Sequence, residues 1–308
     1  MAINNAGCNF GNRQVCRFVE NSSKFVVACN KGVYFFDSGD HPTKYLLQHS
    51  FTFPHGTEGV PCFARGGKEV IVANPDFLAY GAISLSSGKK IWGRGFWLSQ
   101  YRDKQLNCMA LCAERQTLAR GFTDGKIGLY AFPSGKVMRY FQAHRTTVTS
   151  ICFTPNGHYL VSSSHDATVV VRRCIDDSIV QQFAGFEWCI TSICVTPCGR
   201  YIVCGSSFRI QCFCLATGHV VCSLKDRKCI CSLCVSPDNR LLGLGRFDGT
   251  IKILPNPITA YWRRVWARSW LKPHDSHKSK VEELNRFFQI CPGLRQLVGT
   301  KILLYFSL

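Results

Sequence analysis

Apolar and polar positions alternate in short runs through the first five sixths of the chain, and the runs recur at a nearly constant distance. Three segments align without a gap: VTSICFTPNGHYLVSS from Val148, ITSICVTPCGRYIVCG from Ile190 and ICSLCVSPDNRLLGLG from Ile230. Their starts lie 42 and then 40 residues apart. A worn copy, LNCMALCAERQTLARG, begins at Leu106, again 42 residues before Val148. Two more degenerate copies, QVCRFVENSSKFVVAC near Gln14 and VPCFARGGKEVIVAN near Val60, precede it. Six units of about forty to forty-six residues then fill the chain to about Pro255, a period that marks a repeat architecture.

Within a unit the pattern reads as strands. TSICF alternates, and Thr154-Pro155-Asn156-Gly157 follows as a turn, Pro fixing φ and Asn-Gly tolerating the left-handed region. His158-Tyr159-Leu160-Val161 forms a second strand, a short turn holds Asp166, and Thr168-Val169-Val170-Val171 forms a third. Small-Gly hairpins at Pro133-Ser134-Gly135, Ala216-Thr217-Gly218 and Ser86-Ser87-Gly88 lead into a fourth. Four short strands with a turn signal every ten or so residues predict an all-β repeat. A helical repeat would show a 3.6-residue period and few Gly turns.

At these residues the chain resembles a known family. A period near forty, four strands, and the run Ser-x-x-His-Asp-Ala-Thr-Val-Val-Val are similar to WD40 repeats of a β-propeller. The resemblance implies a hydrogen-bonded set bracing each blade, made of a His, a strand Ser/Thr, a turn Asp and a Trp ending the third strand. His144, Ser162 and Asp166 match it, with Ala143-His144 in place of Gly-His and Arg172 where Trp would stand. Asp124 and Asp248 match the turn Asp, with Tyr130 and Leu254 at the Trp position. The unit at Ile190 has lost the Asp, and no unit carries the Trp-Asp dipeptide. The expected fold is an all-β, WD40-like β-propeller of four-stranded blades over 1–255, with a short α-helical C-terminal extension. Six blades are evident. A seventh would have to come from the tail, the N-terminus or a partner, because an open edge invites aggregation.

Charge changes the picture next. Lys and Arg number 37 against 19 Asp and Glu, a formal net charge of +18. That balance favours acidic partners without choosing among nucleic acid, anionic lipid and acidic protein. Lys225, Arg227 and Lys228 form one basic loop cluster, and basic residues can equally stay solvated. The chain holds 19 Cys, an odd number, and MAINNAGCNFGNRQ has no apolar stretch of a secretory leader. No apolar run reaches the ~18–20 residues that span a bilayer. The expectation is an intracellular protein, cytoplasmic or nuclear, with reduced thiols and no transmembrane segment.

Two constellations suggest chemistry and each has a plainer account. Cys231-Ser232-Leu233-Cys234 has zinc-like spacing, but residues three apart on a strand face opposite sides. Cys152, Cys194 and Cys234 recur once per unit, which is how a packing position behaves. His144, Asp166 and a Ser could be a hydrolytic triad, yet they are also the bracing set, and no Gly-x-Ser-x-Gly elbow or phosphate-cradling loop is present. No enzyme activity, metal or cofactor is expected.

The last segment, 256–308, breaks the repeat. Asn256-Pro257 serves as N-cap and first residue of a helix that Lys272-Pro273 ends. Trp262, Trp266 and Trp270 recur every fourth residue and share one face, with Arg263, Arg264, Arg268 and Lys272 mostly on the remainder. This stripe either packs on the propeller or binds a partner. A second helix is expected from Ser279, and Lys301–Phe306 reads as a final apolar strand. The function implied is a non-catalytic protein–protein interaction scaffold. The alternative is a basic adaptor that binds an anionic membrane surface or nucleic acid through its Lys/Arg clusters and the Trp/Arg helix.

Overall fold

The computed structural model describes residues 106–259 without a break, Tyr261, and before them the strand residues 2–3, 14–18, 24–29, 32–37, 46–52, 60–64, 69–73, 79–84 and 90–95. The chain starts with β1 (Ala2–Ile3). Five sheets of four consecutive strands follow. The first holds β2 to β5 (Gln14–Phe18, Lys24–Cys29, Gly32–Asp37, Leu46–Thr52), the second β6 to β9 (Val60–Ala64, Glu69–Ala73, Ala79–Ser84, Lys90–Gly95). The third holds β10 to β13 (Leu106–Cys112, Thr117–Phe122, Lys126–Ala131, Val137–Gln142). The fourth holds β14 to β17 (Val148–Phe153, Tyr159–Ser164, Val169–Arg173, Ile179–Phe183), and the fifth β18 to β21 (Ile190–Val195, Tyr201–Ser206, Arg209–Cys214, Val220–Lys225).

After Lys225 the described residues hold three more strands, β22 (Ile230–Val235), β23 (Leu241–Arg246) and β24 (Ile251–Pro255), and then a helical turn. β1 completes this sheet by pairing antiparallel with β24, Ala2 opposite Lys252 and Ile3 opposite Ile251. The expectation of six evident blades with an optional seventh is corrected accordingly. Among the described residues five blades are built whole from local strands, and the last sheet is a composite in which β1, near the N-terminus, supplies the outer edge. Closing the ring this way hides the hydrogen-bonding edge of β24.

The first strand of each sheet stands beside the first strand of the next, β2, β6, β10, β14, β18, β22 and back to β2, around a central channel. The core lies between neighbouring blades. Val161, Val169 and Val171 of the fourth blade pack on Ile190, Ile202 and Phe213 of the fifth. At the seam between last and first blades, Cys234 and Ile251 meet Cys16, Phe18 and Phe25. Gly243 is obligatory there: a Cβ on it would sit 2.6 Å from a Phe25 ring carbon and 2.9 Å from Cys234 Sγ.

The turn between first and second strands repeats one device. A Thr or Ser hydroxyl accepts the amide five residues on, Tyr159 N to Thr154 at 3.0 Å, Tyr201 N to Thr196 at 3.1 Å and Leu241 N to Ser236 at 2.8 Å. Gly157 and Gly199 take positive φ in the first two, and Asn239 substitutes in the third with φ 63°.

The expected C-terminal extension appears, among the described residues, as one short helix at 257–259 with Tyr261 also helical. Its start is as the sequence predicts: Asn256 Oδ1 accepts the Ile258 amide at 3.1 Å. Asn256 Nδ2 donates to Asn239 O at 2.9 Å, and Ile258 is fully buried in the core between the fifth and last blades. Trp262, Arg263, Arg264, Trp266, Arg268 and Trp270 lie outside the described residues, as do the helix expected from Ser279 and the strand expected at Lys301–Phe306. Among the described residues no helix is long and apolar enough to cross a membrane.

Candidate functional site

The bracing residues come first, because they position the loops above them. In the fourth blade the Thr168 hydroxyl donates to Asp166 Oδ1 at 2.5 Å. Its proton is therefore committed, so His144 Nδ1–H donates to Thr168 Oγ1 at 2.9 Å. That leaves His144 Nε2 to accept from the Ser162 hydroxyl at 2.8 Å. Asp166 Oδ2 accepts the Arg145 amide at 2.9 Å and lies 3.5 Å from His144 Nδ1. Burial pushes the His144 pKa below its ordinary value despite the pull of Asp166. The imidazole is neutral, buried, and fully occupied in linking two strands and a turn.

Arg172, at the position where the resembled family has Trp, does not join this chain. Its guanidinium lies over the Phe141 ring at 4.8 Å and donates to Asp177 O at 3.0 Å, tying the fourth blade to the third. Asp124 and Asp248 repeat the local part of Asp166: each accepts the amide two residues on at 3.0 Å, from Lys126 and Thr250. Their second oxygens go elsewhere, Asp124 to Lys126 Nζ at 3.9 Å and Asp248 to Lys228 Nζ at 2.5 Å. The structure thus brings His144, Ser162 and Asp166 into one chain, while Asp124 and Asp248 organise their own turns.

In the other blades the His position holds different residues. Four residues before Ile190 stands Phe186, which packs on Phe213 at 5.6 Å. Four residues before Ile230 stands Asp226, buried, whose two oxygens take Arg246 Nη2 at 2.8 and 2.7 Å, with Lys252 Nζ at 3.7 Å. Burial works to raise the Asp226 pKa, but the Arg246 hydrogen bonds and the Lys228 amide outweigh it and hold the carboxyl below its usual range. A buried ion pair replaces the neutral brace.

Above this pair the loops form a continuous ledge on one end of the propeller. Trp188, 53% exposed, stands edge-on to Phe208, 46% exposed, with ring centroids 6.2 Å apart. Phe208 O accepts the Asp226 amide at 2.8 Å, which ties the aromatic pair to the 226–229 loop. Cys229 O accepts the Phe247 amide at 2.9 Å, and Phe247 is 61% exposed. Lys225, Arg227 and Lys228, the basic cluster singled out in the sequence, therefore lie between two exposed aromatic groups. Glu187 pairs with Arg209 at 3.7 Å and Asp248 with Lys228, so the acidic residues of the ledge are engaged. Among the described residues Lys225 and Arg227 have no carboxylate partner. The aromatic members were missed in the sequence because they sit singly in turns, where no periodicity marks them. Asp226 could have been found by aligning it with His144.

The ledge borders a central channel of about 840 Å³, whose wall includes His165, Ser207 and Phe247 at equivalent turn positions. Thr149 and Ser163 share a hydrogen bond in this wall at 2.9 Å, and Thr191 donates to Gly205 O at 3.0 Å. The recurring Cys are packing residues: burial pushes Cys152 up to about 12 and raises Cys194 and Cys234 well above the usual thiol value. Cys231 and Cys234 diverge along β22, the first near Cys229 and Asp248, the second against Cys16. Among the described residues the cysteines are free thiols and no cluster with metal-binding composition forms.

The comparisons with known proteins agree with this geometry. The family model described as WD domain, G-beta repeat, matches residues 135–172 and 210–253. The first match spans the outer strand of one blade and three strands of the next. No curated protein matches the chain. A solved chain titled "Crystal Structure of Mitotic Checkpoint Complex" has a similar fold with a TM-score of 0.57 at 13% identity, covering 80% of this chain and 90% of that one. Matching solved chains number 1811, so the shape alone selects no partner. The repeat in the sequence, the blade-by-blade register and the solved chain of similar shape make the fold a β-propeller, and its segments 135–172 and 210–253 are similar to WD40 repeats.

Proposed function

We propose that the chain is a non-catalytic protein–protein interaction scaffold of the WD40 type, working with reduced thiols inside the cell. The observation that carries this reading is the ledge itself. Trp188, Phe208 and Phe247 expose large aromatic surface; backbone hydrogen bonds tie Phe208 and Phe247 to the 226–229 loop, the Asp226–Arg246 pair anchors that loop, and Trp188 packs edge-on to Phe208. Exposed aromatic groups beside Arg are the composition of binding hot spots, and a preorganised surface loses little entropy on binding. His144 supports the same reading, since both its nitrogens are spent on Thr168 and Ser162 and its ring is buried. The test is photo-crosslinking of the full chain, with the reactive group placed on ledge loops and on the opposite end. Recovery of discrete protein adducts from a cell extract is expected. Recovery of nucleic acid or lipid alone would sink the scaffold reading.

A further inference from the structure

We infer that the ledge takes an extended segment of another protein in which acidic residues lie between two large apolar anchors. The inference rests on the scaffold reading and adds the chemistry of the partner. The order of groups along the ledge is the argument. Trp188 and Phe208 form one apolar station, Phe247 forms the other, and the loop carrying Lys225 and Arg227 joins them through the Phe208–Asp226 and Cys229–Phe247 backbone bonds. An apolar–basic–apolar surface is complemented by an apolar–acidic–apolar segment.

The charges are placed for a partner and not for the fold. Asp226 faces inward to Arg246 and Lys252, Glu187 meets Arg209, and Asp248 meets Lys228. What remains for an incoming carboxylate is Lys225 and Arg227, both exposed. Arg also suits bidentate contact with a carboxylate. The aromatic stations distinguish this surface from a purely electrostatic one, because half-exposed Trp and Phe side chains gain from covering by apolar side chains and gain little from phosphates.

The experiment uses the full chain and short fluorescein-labelled peptides read by anisotropy. One peptide has a Leu or Phe at each end of an Asp/Glu block, a second has the same composition with both anchors moved to one end, and a third lacks anchors. The first is expected to bind at least ten-fold tighter than the other two. Trp188→Ala, Phe247→Ala and Arg227→Glu should each weaken it by about ten- to thirty-fold, the size of a hot-spot loss, with unchanged melting temperature. Equal binding of the anchorless peptide, or of a single-stranded oligonucleotide or phosphatidylserine vesicle, would show charge alone at work and overturn the inference. So would failure of the first peptide to bind. If crosslinked protein partners map to other faces, the scaffold reading stands and this inference falls; if no protein partner is found, both fall.

Discussion

At the scale of residues, the same positions in successive blades are solved with different chemistry, and the difference is measurable. Removing Asp226 leaves Arg246 buried at the loop base, and removing Arg246 leaves a buried carboxylate. Either single Ala variant should cost about 3–5 kcal/mol in urea unfolding. The double change Asp226→Leu with Arg246→Met should cost far less, since an apolar pair leaves no orphan charge. Additive losses would show that the pair is not a unit. His144 gives a pH signature instead. Its folded pKa is depressed by burial, so the unfolded chain binds the proton first as pH falls. The contribution of the brace is fully present above about pH 6.5 and is lost progressively below it. Wild-type stability should therefore fall between pH 7 and 5 more steeply than that of His144→Gln. Parallel curves would remove His144 from the explanation.

At the scale of elements, strand order within each blade was legible because a two-residue period and Pro/Gly turns are local signals. The repeat at Val148, Ile190 and Ile230 even gave the register, so that Tyr130, Arg172 and Leu254 fall opposite Leu118, Leu160 and Leu242 as aligned. What replaces a lost motif residue was not legible. Phe186 on Phe213, Arg172 on Phe141 and Asp226 with Arg246 are three contacts made across elements, and sequence spacing does not specify such partners. Glycines that permit close approach are similarly silent in the sequence. Gly243→Ala would drive a methyl against the Phe25 ring and Cys234 Sγ, both buried in the seam, so neither yields freely. A cost of about 1–3 kcal/mol is expected. A melting temperature equal to wild type would mean that the seam between β23 and the first blade takes up the methyl without cost.

At the scale of the whole molecule, closure is what the sequence concealed and the structure supplies. A propeller blade cannot bury its faces alone, so each of the cores sits between neighbours, and the ring is as sound as its last seam. Here that seam is held in two ways. Side chains of the last blade pack on Phe18 and Phe25 of the first, and β1 covers the edge of β24. The repeat ends one strand short, and two residues near the N-terminus, Ala2 and Ile3, carry no pattern that would announce them as the missing strand. Deleting 1–5 should leave the seam side chains in place but bare the backbone groups of β24. Unpaired edges promote association between copies. The deleted chain is therefore expected to retain β-rich circular dichroism and to melt earlier. In sedimentation velocity it should associate with rising concentration, while Trp188→Ala in the full-length chain should not. If the deleted chain sediments as a monomer at every concentration and melts with wild type, β1 contributes nothing to closure, and the seam rests on Phe18, Phe25, Cys234 and Ile251 alone.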